Sequence, residues 1–191
     1  MHRFVLPEGA QRAGNLWTRH KAGVSGLGCR RASHTWRIRV DMNEAPVGTT
    51  IKLCGVAHVS AFRWRRLRGG VSQLFAWTHE DSDRILARRL RGGRIGLASY
   101  VYRCGYGPAI QPDAVDVDWI KRLGTVRNGE FFTVRIMPND ASTVFAINGK
   151  AVHHVARSRP LPRLVHKAFV HAGGHVHDAS PARIRIDVKP T

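Results

Sequence analysis

His79, Arg88, Tyr100, Tyr102 and His171 are the residues of this chain whose types suit proton transfer beside an anionic group. A guanidinium meets a carboxylate as a two-pronged fork. Imidazole and phenol can take a proton from carbon and return one to a leaving oxygen, provided the developing charge is neutralised. Removal of the C5 proton of a uronate, followed by β-elimination, asks for that set. His79, Tyr100 and His171 are therefore the catalytic candidates. Plain binding of an anionic ligand asks less, and Trp77, His79, Arg88, Tyr100, Tyr102 and His171 would serve it without reaction geometry.

Other clusters offer less. Asp116 and Asp118 share one strand face, a spacing compatible with a carboxylate pair for glycoside hydrolysis and equally with a solvated surface. His171, His175, His177 and Asp178 crowd a Gly-rich turn, and His153 and His154 are adjacent. Neighbours on a strand point to opposite faces and no cysteine stands near, so no metal and no cofactor is expected. Arg63 to Arg68 (RWRRLR) interleaves cations with an aromatic, as surfaces that track a nucleic-acid backbone do. A charged edge strand has the same pattern.

The elements that must position these residues read as strands. Gly129 to Arg157 holds three alternating runs broken at Pro138-Asn139-Asp140 and at Asn148-Gly149, the latter a strong two-residue hairpin signal. Phe132, Val134 and Ile136, then Thr143, Phe145 and Ile147, form the expected inward sets. Trp36 to Met42 alternates strictly, as a half-buried strand does. Further strands are expected over 49–58, 60–68, 71–79, 84–90, 94–104, 114–123, 165–172 and 183–189. In 94–104, Ile95, Leu97 and Val101 suit a core. Gly96, Ala98, Tyr100 and Tyr102 on the other parity suit an open face with room for a ligand. The charges of the first and last clear strands predict that they pair antiparallel, with Arg37 across from Asp187 and Asp41 across from Arg183. Residues 1–33, rich in Gly and Arg, read as an irregular arm with Trp17 as its anchor. Residues 34–191 read as a single β-sandwich domain. The fold class expected is all-β, a two-sheet antiparallel jelly-roll sandwich of about a dozen strands.

At 191 residues the chain is long enough for one domain with a two-layer core. Its 31 Lys+Arg against 13 Asp+Glu give a formal net charge of +18. Such a field attracts nucleic acid, anionic polysaccharide or other polyanions. Most of the cations are arginine, and GC-rich coding yields the same bias. No run approaches the ~20 apolar residues of a membrane-spanning helix, so no membrane partner is expected. The opening MHRFVLPEGAQRAG lacks the apolar core of a signal peptide. A cytoplasmic protein is expected, or a secreted one if the start codon is misassigned. Cys29, Cys54 and Cys104 match no zinc, redox or disulfide spacing. Nothing in the sequence speaks to oligomeric state.

FFTVRIMPND (131–140), STVFAINGK (142–150), AFVHAGG (168–174) and ARIRIDV (182–188) occur in the order of features of a known superfamily. From Gln73 onward the chain resembles the concanavalin A-like lectins and glucanases, the jelly-roll sandwiches that include alginate-lyase-like proteins. The resemblance implies that the last strand returns beside the first. The Glu-x-Asp-x-x-Glu strand of the glucanases is absent. So are the R-x-E-L-R, Q-I-H and Y-x-K-A-G motifs of the alginate lyases, although Lys167-Ala168-Phe169 vaguely echoes the last. The resemblance and the residues together imply a carbohydrate-binding protein for an anionic polysaccharide or oligosaccharide. The alternatives are a lyase acting by β-elimination on a uronate polymer and a basic nucleic-acid-binding protein.

Overall fold

The computed structural model describes residues 1–10, 12–18, 33–60, 82–102, 120–139, 141–156, 164–174 and 180–189. In these residues there are twelve strands and no helix. They are β1 (His2–Leu6), β2 (Arg12–Thr18), β3 (His34–Asp41), β4 (Thr50–Ser60), β5 (Ser82–Arg89) and β6 (Arg94–Tyr102). The second half adds β7 (Ile120–Arg127), β8 (Phe131–Pro138), β9 (Ser142–Ile147), β10 (Lys150–Ala156), β11 (Leu164–Gly174) and β12 (Ile184–Lys189). The first sheet runs β1-β12-β3-β8-β9-β10 and the second β2-β11-β4-β5-β6-β7, with every neighbouring pair antiparallel. This is the expected two-sheet sandwich.

Period-two alternation builds it. Trp36, Ile38 and Val40, Phe132, Val134 and Ile136, and Ile184, Ile186 and Val188 are all buried, from three adjacent strands of the first sheet. Ile51, Leu53, Ile85, Ala87, Ile95, Leu97 and Val101 answer them from the second, in one continuous core. Burying each large apolar side chain contributes about 1.5–3 kcal/mol, which is what holds the layers together. The β9–β10 turn has φ of 49° at Asn148 and 80° at Gly149. Both central residues are thus in the left-handed region, as a turn matched to strand twist demands. Asn139 closes the β8–β9 turn, its Oδ1 accepting from the amides of Ala141 and Ser142.

Two expectations are corrected here. The stretch 1–33 is not uniformly irregular: it supplies an edge strand to each sheet, β1 against β12 and β2 against β11. An edge strand has one neighbour to satisfy, so a short segment with only Phe4 and Leu6 turned inward suffices, and its alternation is too brief to read. The β3–β12 pairing is antiparallel as expected but displaced by two residues. Asp187 faces Arg39 and Asp41 faces Arg185. A shift of two keeps every side chain on its face, so hydrophobic alternation cannot distinguish the registers. The observed one still gives each aspartate an arginine, and it moves the like-charged pair to Arg37–Lys189 near the strand end. The strands expected over 60–68 and 71–79 lie almost wholly outside the described residues.

Candidate functional site

The second sheet carries two faces of different character. Its inner face joins the core. On its outer face, register sets Lys52, Leu86, Ala98 and Arg122 in one row across β4, β5, β6 and β7. Arg84 and Tyr100 form the next row, and Thr50, Arg88, Gly96 and Thr125 lie on the far side of the first. Lys52, Arg84, Arg88 and Arg122 are the charged side chains in these rows, and among them there is no carboxylate.

Tyr100 is the centre of this face. It is 0% exposed and packs with Leu86 and Ala98 in a small cluster separate from the main core. The Lys52 ammonium stands 6.0 Å from the centroid of its ring, within the range of a cation–π contact. Arg84 beside it is 7% exposed, a buried cation. Arg88, by contrast, is exposed, and four residues along β5 place it ~13 Å from the Tyr100 row. The expected open floor of small residues differs in detail. A Cβ on Gly96 would meet Leu90 Cδ1 at 3.2 Å. That glycine therefore admits Leu90 rather than a ligand, and Tyr100 is covered rather than open.

Of the residues singled out from sequence, Arg88, Tyr100, Tyr102 and His171 fall on strands β5, β6 and β11 of one sheet, with β4 between β11 and β5. His171 pairs with Asn15 of β2. Trp77 and His79 lie outside the described residues, as do Asp116, Asp118, His175, His177, Asp178 and the run 63–68. Sequence reasoning missed Lys52 and Arg84. The signal was there for Lys52, the sole Lys or Arg in an otherwise uncharged strand. Arg84 shares a parity with Leu86 and Arg88, but the buried state of its neighbours could not be read from alternation.

The remaining titratable groups fill other roles. His153 and His154 do face opposite ways. His153 stacks on Phe145 at 6.1 Å, and burial first, then the charges of Lys121 and His154, push its imidazole below the ordinary value. No group of three or more His, Cys, Asp or Glu side chains among the described residues could hold a metal ion. Cys54 is buried in the core, and burial pushes its thiol far up, which keeps it protonated and unreactive. No helix among the described residues is long and apolar enough to cross a membrane.

The sequence matches no protein-family model and no curated protein. Solved structures do match. The alginate lyase Aly36B superposes with a TM-score of 0.59 at 15% identity, over 98% of this chain and 77% of that one. The carbohydrate recognition domain of Emp46p, in a potassium-bound form, gives 0.57 at 13% identity over 97% and 80%. A β-1,3-1,4-glucanase (lichenase) derived from a mouse hindgut metagenome gives 0.54 at 9% identity over 99% and 79%. Identities this low speak to architecture alone. The chain has the concanavalin A-like jelly-roll fold.

Proposed function

We propose that this protein binds an acidic polysaccharide or oligosaccharide on the outer face of its second sheet. The observation that carries the reading is the charge of that face: four cations and no carboxylate in the described rows, with Lys52 6.0 Å from the Tyr100 ring. Uronate carboxylates would be met by Lys52 and Arg88, and the guanidinium fork of Arg88 suits bidentate contact. Similar proteins bind such ligands: Aly36B has been seen with an alginate tetrasaccharide in a variant substituted at a lysine and a tyrosine.

A panel of alginate, polygalacturonate, hyaluronan and a neutral β-glucan, titrated at low salt and at ~150 mM, tests the reading. Selective binding of one uronate ligand that survives the higher salt is expected. Arg88→Ala and Lys52→Ala should each weaken it by roughly 10-fold or more, as loss of a charge-assisted hydrogen bond does. Equal binding of every polyanion, vanishing with salt, would refute it.

A second reading has one observation in its favour. The cations of this face, Lys52 and Arg88, supply the charge neutralisation that β-elimination needs, whereas Tyr100, 0% exposed, is closed to substrate. A lyase would release unsaturated products absorbing in the near ultraviolet, and Lys52→Ala would abolish them. Absence of such products from every uronate polymer would leave binding alone.

A further inference from the structure

The opposite side of the sandwich carries a second cationic surface built differently from the first. On the outer face of the first sheet, register lines up Arg3, Asp187, Arg39 and Phe131 across β1, β12, β3 and β8. Lys189 and Arg37 form the next row, facing Thr133. Arg185 and Arg135 extend the field at either end. The outward positions of these four strands thus hold six cations against two carboxylates, Asp41 and Asp187.

Asp187 is committed. It is 1% exposed, accepts from Arg3 Nε at 2.6 Å and from Arg39 Nε at 2.9 Å, and offsets one of the two positive charges of that row. Arg37 and Lys189 face each other across the ladder as like charges, a destabilising arrangement, and neither has a carboxylate partner among the described residues. What holds them is Phe131. Lys189 Nζ lies 4.3 Å from its ring centroid, Arg39 Cζ 5.0 Å and Arg37 Cζ 5.6 Å. Three cations converge on one aromatic ring, and two of them have no carboxylate partner among the described residues.

We propose that this face is a second binding surface, for a linear polyuronate chain, whose carboxylates take the place of the missing anions between Arg37 and Lys189. The ring orders the cations in advance, which lowers the entropy lost on binding. The rows of Arg185 and Arg135 lie six β3 residues apart, so the field runs ~20 Å along the strands as well as ~14 Å across β1 to β8, longer than a trimer and suited to a polymer. Nucleic acid fits less well. Sequence-tolerant nucleic-acid surfaces offer open aromatic rings to bases, whereas the Phe131 ring is taken by cations. The inference shares the class of ligand with the function proposed above but uses a different face.

The experiment compares polygalacturonate with trigalacturonate, by calorimetry on the full chain. The variants are Arg37→Glu/Lys189→Glu on the first sheet and Lys52→Ala on the second, each checked for an unchanged melting transition. If the double charge reversal unfolds the protein, Arg37→Gln/Lys189→Gln replaces it. The polymer should bind the first-sheet variant at least 10-fold more weakly and with a shallower salt dependence, while the trimer is unaffected. Unchanged polymer affinity, or no polymer binding by the natural protein, overturns the inference. So does double-stranded DNA that binds as tightly as the polymer and is lost in the same variant. Failure of the second-sheet reading looks different: the trimer does not bind, or Lys52→Ala leaves it unchanged, while the polymer still responds to Arg37 and Lys189.

Discussion

Thr143 on β9 donates its hydroxyl to Asp83 Oδ2 on β5 at 2.7 Å, joining the two sheets through the interior. Both side chains are 0% exposed. A carboxylate taken out of water is tolerated only when its oxygens are bonded, so this contact fixes how the sheets stack as well as how strongly. It lies directly behind the candidate site, since Asp83 precedes Arg84, which pairs with Tyr100.

Thr143→Val keeps the volume and removes the hydroxyl. The buried carboxylate then loses a donor, and the cost is about 1–3 kcal/mol. Chemical denaturation should show that loss, whereas the same change at exposed Thr125 should alter stability by less than about 0.5 kcal/mol. Equal stability of Thr143→Val and the natural protein would mean that the bond adds nothing.

Asp187 anchors the other face. Burial, the largest influence, pushes its carboxyl up, but the hydrogen bonds and charges of Arg3 and Arg39 outweigh it and hold the group below its ordinary 3.8. A carboxyl depressed on folding stabilises the protein fully above the unfolded value, and that stability is lost as pH falls through the folded value. The melting temperature should therefore fall below pH 3.8 more steeply in the natural protein than in Asp187→Asn. At neutral pH the variant should lose about 1–3 kcal/mol, modest for a buried charge because both arginines are partly open to water. A variant with the same acid limb and the same neutral stability would contradict this.

Much of this architecture is legible in the residues, and the exceptions have physical causes. Strict alternation in 36–42 and 131–147 gives faces, because one side of each strand is buried and the other wet. The Asn148-Gly149 pair gives a turn type, because few residues accept φ > 0 twice. The β3–β12 register escapes by two residues because alternation is blind to even shifts and charge pairing favours both answers almost equally. The candidate site is legible only in part. Tyr100 and the parity of β6 can be read, but Leu90 filling the space above Gly96 is a tertiary contact without local signal. Lys52 and Arg84 meet Tyr100 through register across three strands, which no single segment encodes.

The β9–β10 hairpin depends on Asn148 twice over. Its φ of 49° is one that few non-glycine residues adopt easily, and its Oδ1 accepts from the Thr133 amide at 2.8 Å. Asn148→Ala incurs the left-handed strain of roughly 1–2 kcal/mol and loses that bond. Asn148→Gly relieves the strain and loses only the bond. Alanine should therefore be the more destabilising of the two in urea unfolding; the reverse order would mean that the freedom glycine adds to the unfolded chain outweighs the left-handed strain.

His153 sits where the edge strands of the two sheets approach each other, β10 of the first and β7 of the second. Its Nε2 is buried without a hydrogen-bond partner among the described residues, and protonation would set a second charge near Lys121. Burial, Lys121 and His154 hold its folded value below 6.5. An imidazole depressed on folding binds its proton more readily in the unfolded chain. Its contribution to stability is thus intact above pH 6.5 and declines as pH falls through 6.5 toward the folded value. His153→Gln removes the titration. The loss of stability between pH 7.5 and pH 5.5 should be smaller in the variant than in the natural protein, with the other histidines common to both. Parallel pH profiles would show that the seam tolerates the charge.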